Sequence, residues 1–360
     1  MVEQQRSTSG RKLDHLQICL EWDIERGDPG FSDIRLVHNA LPECDLDFID
    51  TRTEFLGHTF ESPLFIAGMT GGHPGTKEVN RILARAAAEQ GIGMGVGSQR
   101  AALENPSLED TFSVVREEAP KAFLAANLGA VQLRDHGIEW AERAASMIDA
   151  DAIAVHLNFL QEAIQPEGDH DARGCLDAIA ELCSDFRIPV IVKETGSGIS
   201  AGTALLCWEA GANAIDIGGW GGTSWAAVEG LRARTDSGEG GIGHPSLSEV
   251  FEDWGIPTVI SLMEVAGTGG PVIATGGLRD GVDMAKALTL GADLCGIALP
   301  LLKPVMQGEN ELKRTLTAFC DELRVAMFLS GARDTGELRQ KWPYITGRTH
   351  QMMKKIIGGK

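Results

Sequence analysis

The stretch His156–Asp169, reading H-L-N-F-L-Q-E-A-I-Q-P-E-G-D, concentrates the side chains best able to do chemistry. It holds His156, Asn158, Gln161, Glu162, Gln165, Glu167 and Asp169. It follows a short apolar run ending at Val155. If Ile153–His156 is a strand, side chains alternate between faces, and His156 and Asn158 point the same way. Gln161 and Glu162 then fall on the loop at the strand's C-terminal end. In a parallel α/β protein that edge is where ligands bind. A polar surface loop with one satisfied histidine would carry the same residues, so position alone assigns no function.

The elements that must hold this stretch are legible from Ser62 onward. Apolar runs at Pro63–Ala67, Ile92–Val96, Ala122–Ala126, Ala152–His156, Pro189–Val192, Ala214–Ile217, Pro271–Ala274 and Asp293–Ile297 read as strands, with helical patterns between them. Val79, Ile82, Leu83 and Ala86 give the first intervening helix an apolar stripe, and Gly91 stops it. Ser200 and Asp280 are placed to cap later helices. Thr258–Val265 reads as a helix capped by Thr258. The junction of helix, glycine and strand recurs as E-Q-G-I-G-M-G-V, E-A-G-A-N-A-I-D-I and T-L-G-A-D-L-C-G-I, as expected of a repeated βα unit. Eight such strands give the α/β class and a (β/α)8 TIM barrel with an N-terminal extension. The expected divisions are 1–61 for the extension and substrate clamp, 62–331 for the barrel and 332–360 for a tail. Residues 1–10 read as disordered, Asp23–Asp50 as an irregular wrapping segment, Arg232–His244 as a mobile loop and Asn310–Ser330 as a closing helix.

Composition limits the partners. The 360-residue chain carries a formal charge of −19, with a pI near 4.9. Nucleic acid and anionic membranes need a basic surface, so neither is expected as a partner. No apolar run approaches the about 18 residues of a membrane span, and Met1–Gly10 lacks the apolar core of a signal peptide. The seven cysteines are scattered with no C-x-x-C, which points to a reducing cytoplasm without disulfides or zinc. Against this acidic background Arg11, Lys12 and His15 stand together, as an anion clamp or as a solvated helix end.

The glycine-rich segments fall after the strands. Gly276-Gly277-Leu278-Arg279 follows the seventh, and Gly296–Leu299 ends the eighth. Phosphates commonly bind there in such barrels, on backbone N–H groups and a helix N-terminus. Arg279 would add a charge-assisted contact, and Thr223 can join the grip. Lys193, at the end of the fifth strand, is either paired with a carboxylate such as Glu194 or turned to a ligand. This pattern suits FMN, and a phosphorylated substrate alone would give it too.

G-M-T-G-G (68–72), G-V-G-S-Q-R (95–100), N-L-G-A-V-Q-L (127–133), H-L-N…Q-E…Q-P-E-G-D (156–169), V-K-E-T-G-S-G-I-S (192–200), G-G-T-S-W-A-A-V-E (221–229) and A-T-G-G-L-R (274–279) together resemble the type 2 isopentenyl diphosphate isomerases. The resemblance runs from Arg11 to about Pro304, in family order. It implies interconversion of isopentenyl and dimethylallyl diphosphate, with reduced FMN, Mg²⁺ and no net redox change. NAD(P)H is the implied reductant, and a tetramer or octamer the implied assembly. By motif, Gly68, Met69, Thr70, Ser98, Asn127, Lys193, Thr223, Gly277, Leu278, Arg279, Ala298 and Leu299 correspond to FMN contacts. Arg11, Lys12, Ser98, Gln99, Arg100 and Gln161 correspond to substrate contacts, and Glu162 to the metal ligand. Gln161, His156 and Asn158 are the implied catalytic group. His170 departs from the family pattern, which expects arginine there. The alternative is an FMN-dependent 2-hydroxy-acid oxidase. That chemistry needs a histidine base after the sixth or seventh strand and tyrosines for the carboxylate, and neither is present in those loops.

Overall fold

Strands buried on both faces must be apolar throughout, and the eight runs above meet that condition. In the computed structural model, which describes residues 8–237 and 246–358, they are Leu64–Ile66 (β1), Gly93–Gly95 (β2), Leu124–Gly129 (β3), Ala152–Leu157 (β4), Val190–Glu194 (β5), Ala214–Asp216 (β6), Val272–Thr275 (β7) and Leu294–Ile297 (β8). All pair in parallel and in chain order. β8 closes on β1 through Cys295↔Leu64, Gly296↔Phe65 and Ile297↔Ile66, so the sheet is a closed barrel. Closure leaves no exposed edge. The registers Gly129↔His156, His156↔Lys193 and Lys193↔Asp216 bring the polar ends of β3 to β6 to one level at the C-terminal mouth.

The other end is sealed. The antiparallel hairpin Thr53–Phe55/His58–Phe60 inserts Phe55 and Phe60 beneath the barrel, where both meet Phe123 edge-on or tilted at centroid distances of 6.1 and 5.5 Å. Phe65, Ala125, Ile191, Ile273 and Leu294 continue this cluster upward. Burying each phenylalanine contributes about 1.5–3 kcal/mol. The N-terminal extension therefore plugs the base and leaves only the mouth open.

Several local expectations hold. Ser200 and Asp280 accept hydrogen bonds from the N–H groups of Thr203 and Asp283, as N-caps do. Gly91 takes φ 61° at the end of Lys77–Gln90. The closing helix spans Glu309–Leu329 and buries Leu312, Leu316, Phe319 and Leu323. Thr258–Val265 is helical, but Pro257 occupies its cap. Thr258 is drawn elsewhere: its hydroxyl donates 2.7 Å to the Gly276 carbonyl, tying that helix to the loop after β7.

Two segments depart from expectation. Thr8–Gly10, read as disordered, begin a helix that runs to Glu21; residues 1–7 lie outside the described residues. Arg232–Ser237, read as loop, continues the helix Trp225–Ser237, and residues 238–245 lie outside the described residues. Two helices here pack on one another: Ile18 of the N-terminal helix meets Val228 of the second, with Ile24 beside them and Trp225, Leu299 and Cys19 around. This tertiary contact supplies the burial that neither segment's weak periodicity advertises. The N-terminal helix thus lies across the mouth. Near the other terminus, Tyr344–Ile345 pairs with Ile34–Arg35, joining the tail to the extension. The seven cysteines are free thiols. Among the described residues no helix is long and apolar enough to cross a membrane.

Candidate active site

A cavity of about 250 Å³ opens at the C-terminal mouth under the N-terminal helix. One end is built of backbone. Gly276 and Gly277 hold φ of 114° and 74°, and Cβ atoms there would lie 2.2 Å from the Gly219 carbonyl oxygen and 2.4 Å from that of Gly221. Only glycine fits such close approach in the left-handed region. The helix Leu299–Gln307 starts at this wall, with Ala298 at its cap, no side-chain cap and Pro300 in its first turn. Such a terminus favours anions. Arg279 borders it, pairing with Glu25 and donating 2.7 Å to the Leu278 carbonyl. The hydroxyls of Thr70 and Thr275 are buried at the cavity without partners. Buried polar groups seldom stay unpaired, so these two suit a polar ligand. With Gly68, Met69, Ser98, Thr223, Leu278, Ala298 and Leu299 also lining the space, the residues present fit FMN.

The floor comes from β3 to β5. Asn127 donates through Nδ2 to the Val96 carbonyl at 2.9 Å, which leaves its Oδ1 to accept from His156 Nδ1 at 2.7 Å. His156 therefore carries its proton on Nδ1 and presents Nε2 as an acceptor. Burial, then the charges of Lys12 and Lys193, hold the ring at about 3, so it is neutral. Lys193 lines the cavity and is also paired, but with Asp216 at 2.8 Å and not with the Glu194 carboxylate. The Glu194 carboxylate accepts N–H bonds from Thr195, Gly196 and Ser197, while burial pushes it up to about 7.

The side wall corrects the sequence reading. Gln161 and Glu162 stand on a helix, Phe159–Ile164, and not on a loop. Its six residues are too few for a period to show, and the Asn158 carbonyl starts it by accepting from Glu162 N. Glu162 is buried, 7% exposed. Its Oε1 accepts from Asn158 Nδ2 at 2.9 Å, and its Oε2 from Gln165 Nε2 at 2.7 Å and Asp169 N at 2.8 Å. Gln161 donates 2.8 Å to Glu229 Oε1, which leaves its own carbonyl oxygen as the end turned to the cavity it lines. Among the described residues no group of three or more His, Cys, Asp or Glu is placed to hold a metal. Glu162 fits a divalent cation as the single protein carboxylate of a shell completed by phosphate and water.

Glu229 is the residue that sequence reasoning missed, although the motif G-G-T-S-W-A-A-V-E ends on it. It accepts from Arg232 Nε at 2.7 Å, and Arg232 continues to Glu167 at 2.7 Å and thence to Arg11 at 3.2 Å. His15 Nε2 lies 3.0 Å from Glu229, too poorly aligned for a formed hydrogen bond. Burial pushes the Glu229 carboxyl up; the His15 ring, the Arg232 charge and the Gln161 amide outweigh it and hold it at about 2.

Arg11, Lys12, Ser98 and Arg100 line the cavity on the lid side. Burial, then Arg11 and Arg100, bring the Lys12 ammonium down to about 8. Arg11 is paired with Glu167 at 3.2 Å and Arg100 with Glu104 at 2.7 Å, and the three cations together still suit an anion. Gln99 does not join them. It is fully buried, its Nε2 donating 2.8 Å to the Ala144 carbonyl and its Oε1 accepting from Asn127 N at 2.9 Å. The expected substrate contact is thus a strut, turned inward because the Asn127 N–H needs an acceptor.

A family model described as FMN-dependent dehydrogenase matches residues 19–157 and 153–344. The chain is 64% identical over 97% of both chains to an isopentenyl-diphosphate delta-isomerase of Methanoregula boonei. It is 51% identical to that of Methanosarcina barkeri, over 95% of this chain and 93% of the other. With that of Archaeoglobus fulgidus the identity is 49%, over 95% and 97%. Among solved structures, a putative lactate oxidase of Pediococcus acidilactici superposes with a TM-score of 0.65 at 16% identity, covering 92% of this chain and 87% of that one. A mandelate oxidase gives 0.63 at 16%, covering 92% and 95%. These oxidases share the barrel.

Proposed function

Because the chain belongs to the FMN-dependent, type 2 isopentenyl-diphosphate delta-isomerases, we propose that it interconverts isopentenyl and dimethylallyl diphosphate with reduced FMN and Mg²⁺ and no net redox change. The observation that carries this is one cavity with two anion grips: the glycine cradle after β7 and β8, and the separate cluster Arg11, Lys12 and Arg100 under the lid. One suits the phosphate of a flavin, the other a diphosphate.

Bound and reduced, the flavin would supply proton donation and acceptance beside the alkene. The chain's residues do the rest. Arg11, Lys12 and Arg100 hold the diphosphate. Glu162, steadied by Asn158 and Gln165, holds Mg²⁺ against it. Gln161, fixed by Glu229, turns its carbonyl oxygen to the reacting carbons and orients them or relays a proton. His156, neutral and locked by Asn127, offers an acceptor nitrogen at the floor. The N-terminal helix keeps water out. NAD(P)H as reductant, a cytoplasmic location and a homo-oligomer complete the reading.

The oxidase alternative finds less support. The one tyrosine, Tyr344, is 64% exposed on the tail strand, and the cavity's floor histidine stands on β4, not after the sixth or seventh strand where that chemistry needs its base. Incubation of purified protein with isopentenyl diphosphate, Mg²⁺ and dithionite-reduced FMN, followed by NMR of the product, tests the proposal. Dimethylallyl diphosphate should accumulate to equilibrium. Flavin-containing protein that leaves the substrate unchanged, or that oxidises lactate instead, would refute it.

A further inference from the structure

The floor lysine has a partner that the proposed reaction does not use. His156, Lys193 and Asp216 are register neighbours on β4, β5 and β6, so their side chains stand in one row inside the barrel mouth. Lys193 reaches the cavity; Asp216 does not, and lies beneath it at 2% exposure. Asp216 Oδ2 sits 2.8 Å from Lys193 Nζ, and its Oδ1 accepts a 3.3 Å bond from the Gly218 N–H. The Lys193 ammonium also donates 3.0 Å to the Glu194 carbonyl. One of its three protons is thereby committed to the Glu194 carbonyl, while the Asp216 carboxylate stands beside the ammonium as its counter-charge.

A buried ion pair of this kind seldom adds stability over an apolar pair of the same volume. Its effect on the cavity is electrostatic. A lone Lys193 would present a full positive charge to whatever lies on the floor, whereas the pair presents a dipole with its positive end up. We propose that Asp216 is a positioning residue which, through Lys193, sets how strongly the floor favours the anionic reduced flavin over the neutral oxidised one. This rests on FMN being the bound group. Asp216 is set so that the cation is aimed but largely compensated, and both flavin states are retained.

The test is the midpoint potential of bound FMN, measured on holoenzyme by dye-coupled reductive titration at pH 6. Asp216→Asn should raise the ratio of reduced to oxidised FMN affinity at least tenfold, a rise of ~30 mV for a two-electron couple. Lys193→Met, which leaves Asp216 uncompensated, should lower it by at least the same factor. Asp216→Asn/Lys193→Met, which removes both charges, should return to within tenfold of wild type. If Asp216→Asn fails to fold, the fall in Lys193→Met and its reversal in the double variant still decide. Single variants that shift together, or that both leave the potential unmoved with FMN bound, would overturn the inference and leave Asp216 a structural counter-charge. Wild-type protein without a flavin spectrum would instead refute the FMN reading.

Discussion

Replacing Glu162 with glutamine keeps its shape and removes its charge, and the structure says what that does. The carboxylate is 7% exposed and accepts from three donors: Asn158 Nδ2, Gln165 Nε2 and the Asp169 N–H. An amide has one acceptor oxygen, best kept for the fixed Asp169 N–H and Gln165, so its NH₂ faces the Asn158 amide, which must flip or meet it donor to donor. Hydrogen bonds to a charged group are worth about 1.5–3 kcal/mol each, and a buried donor left bare costs about 1–3 kcal/mol. Losing one such contact and weakening another gives ~2–4 kcal/mol. Global stability should fall by that amount, read as a lower urea midpoint. Separately, the amide no longer offers the cation a charge, and the Mg²⁺ needed for half-maximal activity should rise ~100-fold, about 2.8 kcal/mol. Saturating Mg²⁺ should recover only part of kcat, because residues 165–169 lose their anchor as well. The assay is a Mg²⁺ titration of turnover with reduced FMN, beside urea denaturation. A wild-type Mg²⁺ requirement would refute Glu162 as the metal ligand. A wild-type urea midpoint would refute its role as the anchor.

Gln161→Ala should lower kcat ~10–100-fold, a loss of about 1.4–2.7 kcal/mol in transition-state binding, with FMN content and Mg²⁺ requirement unchanged; unchanged kcat would contradict its placement. Glu229 is held at about 2 in the folded chain against an ordinary glutamate value of 4.5, so its contribution to stability is complete above pH 4.5 and is lost as the pH falls toward 2. Glu229→Gln should therefore flatten acid unfolding in that window, and should lower kcat by freeing Gln161; an acid profile identical to wild type would count against the network. Lys12 titrates at about 8, so KM for the diphosphate should climb above that pH as the ammonium loses its proton, and Lys12→Arg should delay the climb. Arg279→Ala should weaken FMN retention ~10-fold, measured by flavin released on gel filtration; undiminished retention would remove Arg279 from the phosphate grip.

Most of the barrel was written in apolar runs and glycine junctions, because a strand buried on both faces has no alternative composition. The site was legible where its chemistry depends on residue type at a strand end: His156, Lys193, Gly276 and Gly277 stand where alternation puts them. It was illegible where tertiary partners decide. Gln99 looked like a ligand contact beside Ser98 and Arg100, yet the backbone N–H of Asn127 pulled it into the core. Helix Phe159–Ile164 is too short to show a period. Glu229 sits on a helix whose loose pattern gave no warning that its carboxylate joins Arg232 of the same helix to Gln161 far away in sequence. The same distinction explains how a chain of charge −19 offers an anion site. Net charge is a property of the whole surface and acts over a Debye length of about 8 Å in salt. Arg11, Lys12 and Arg100 act at contact distance, inside a cavity that the N-terminal helix shields from water. Burial, then the charges of Arg11 and Arg100, draw down the Lys12 ammonium, and an anion in the cavity would offset both. The acidic exterior then contributes to discrimination: a diphosphate gains enough at the mouth to cross it, and singly charged anions gain less.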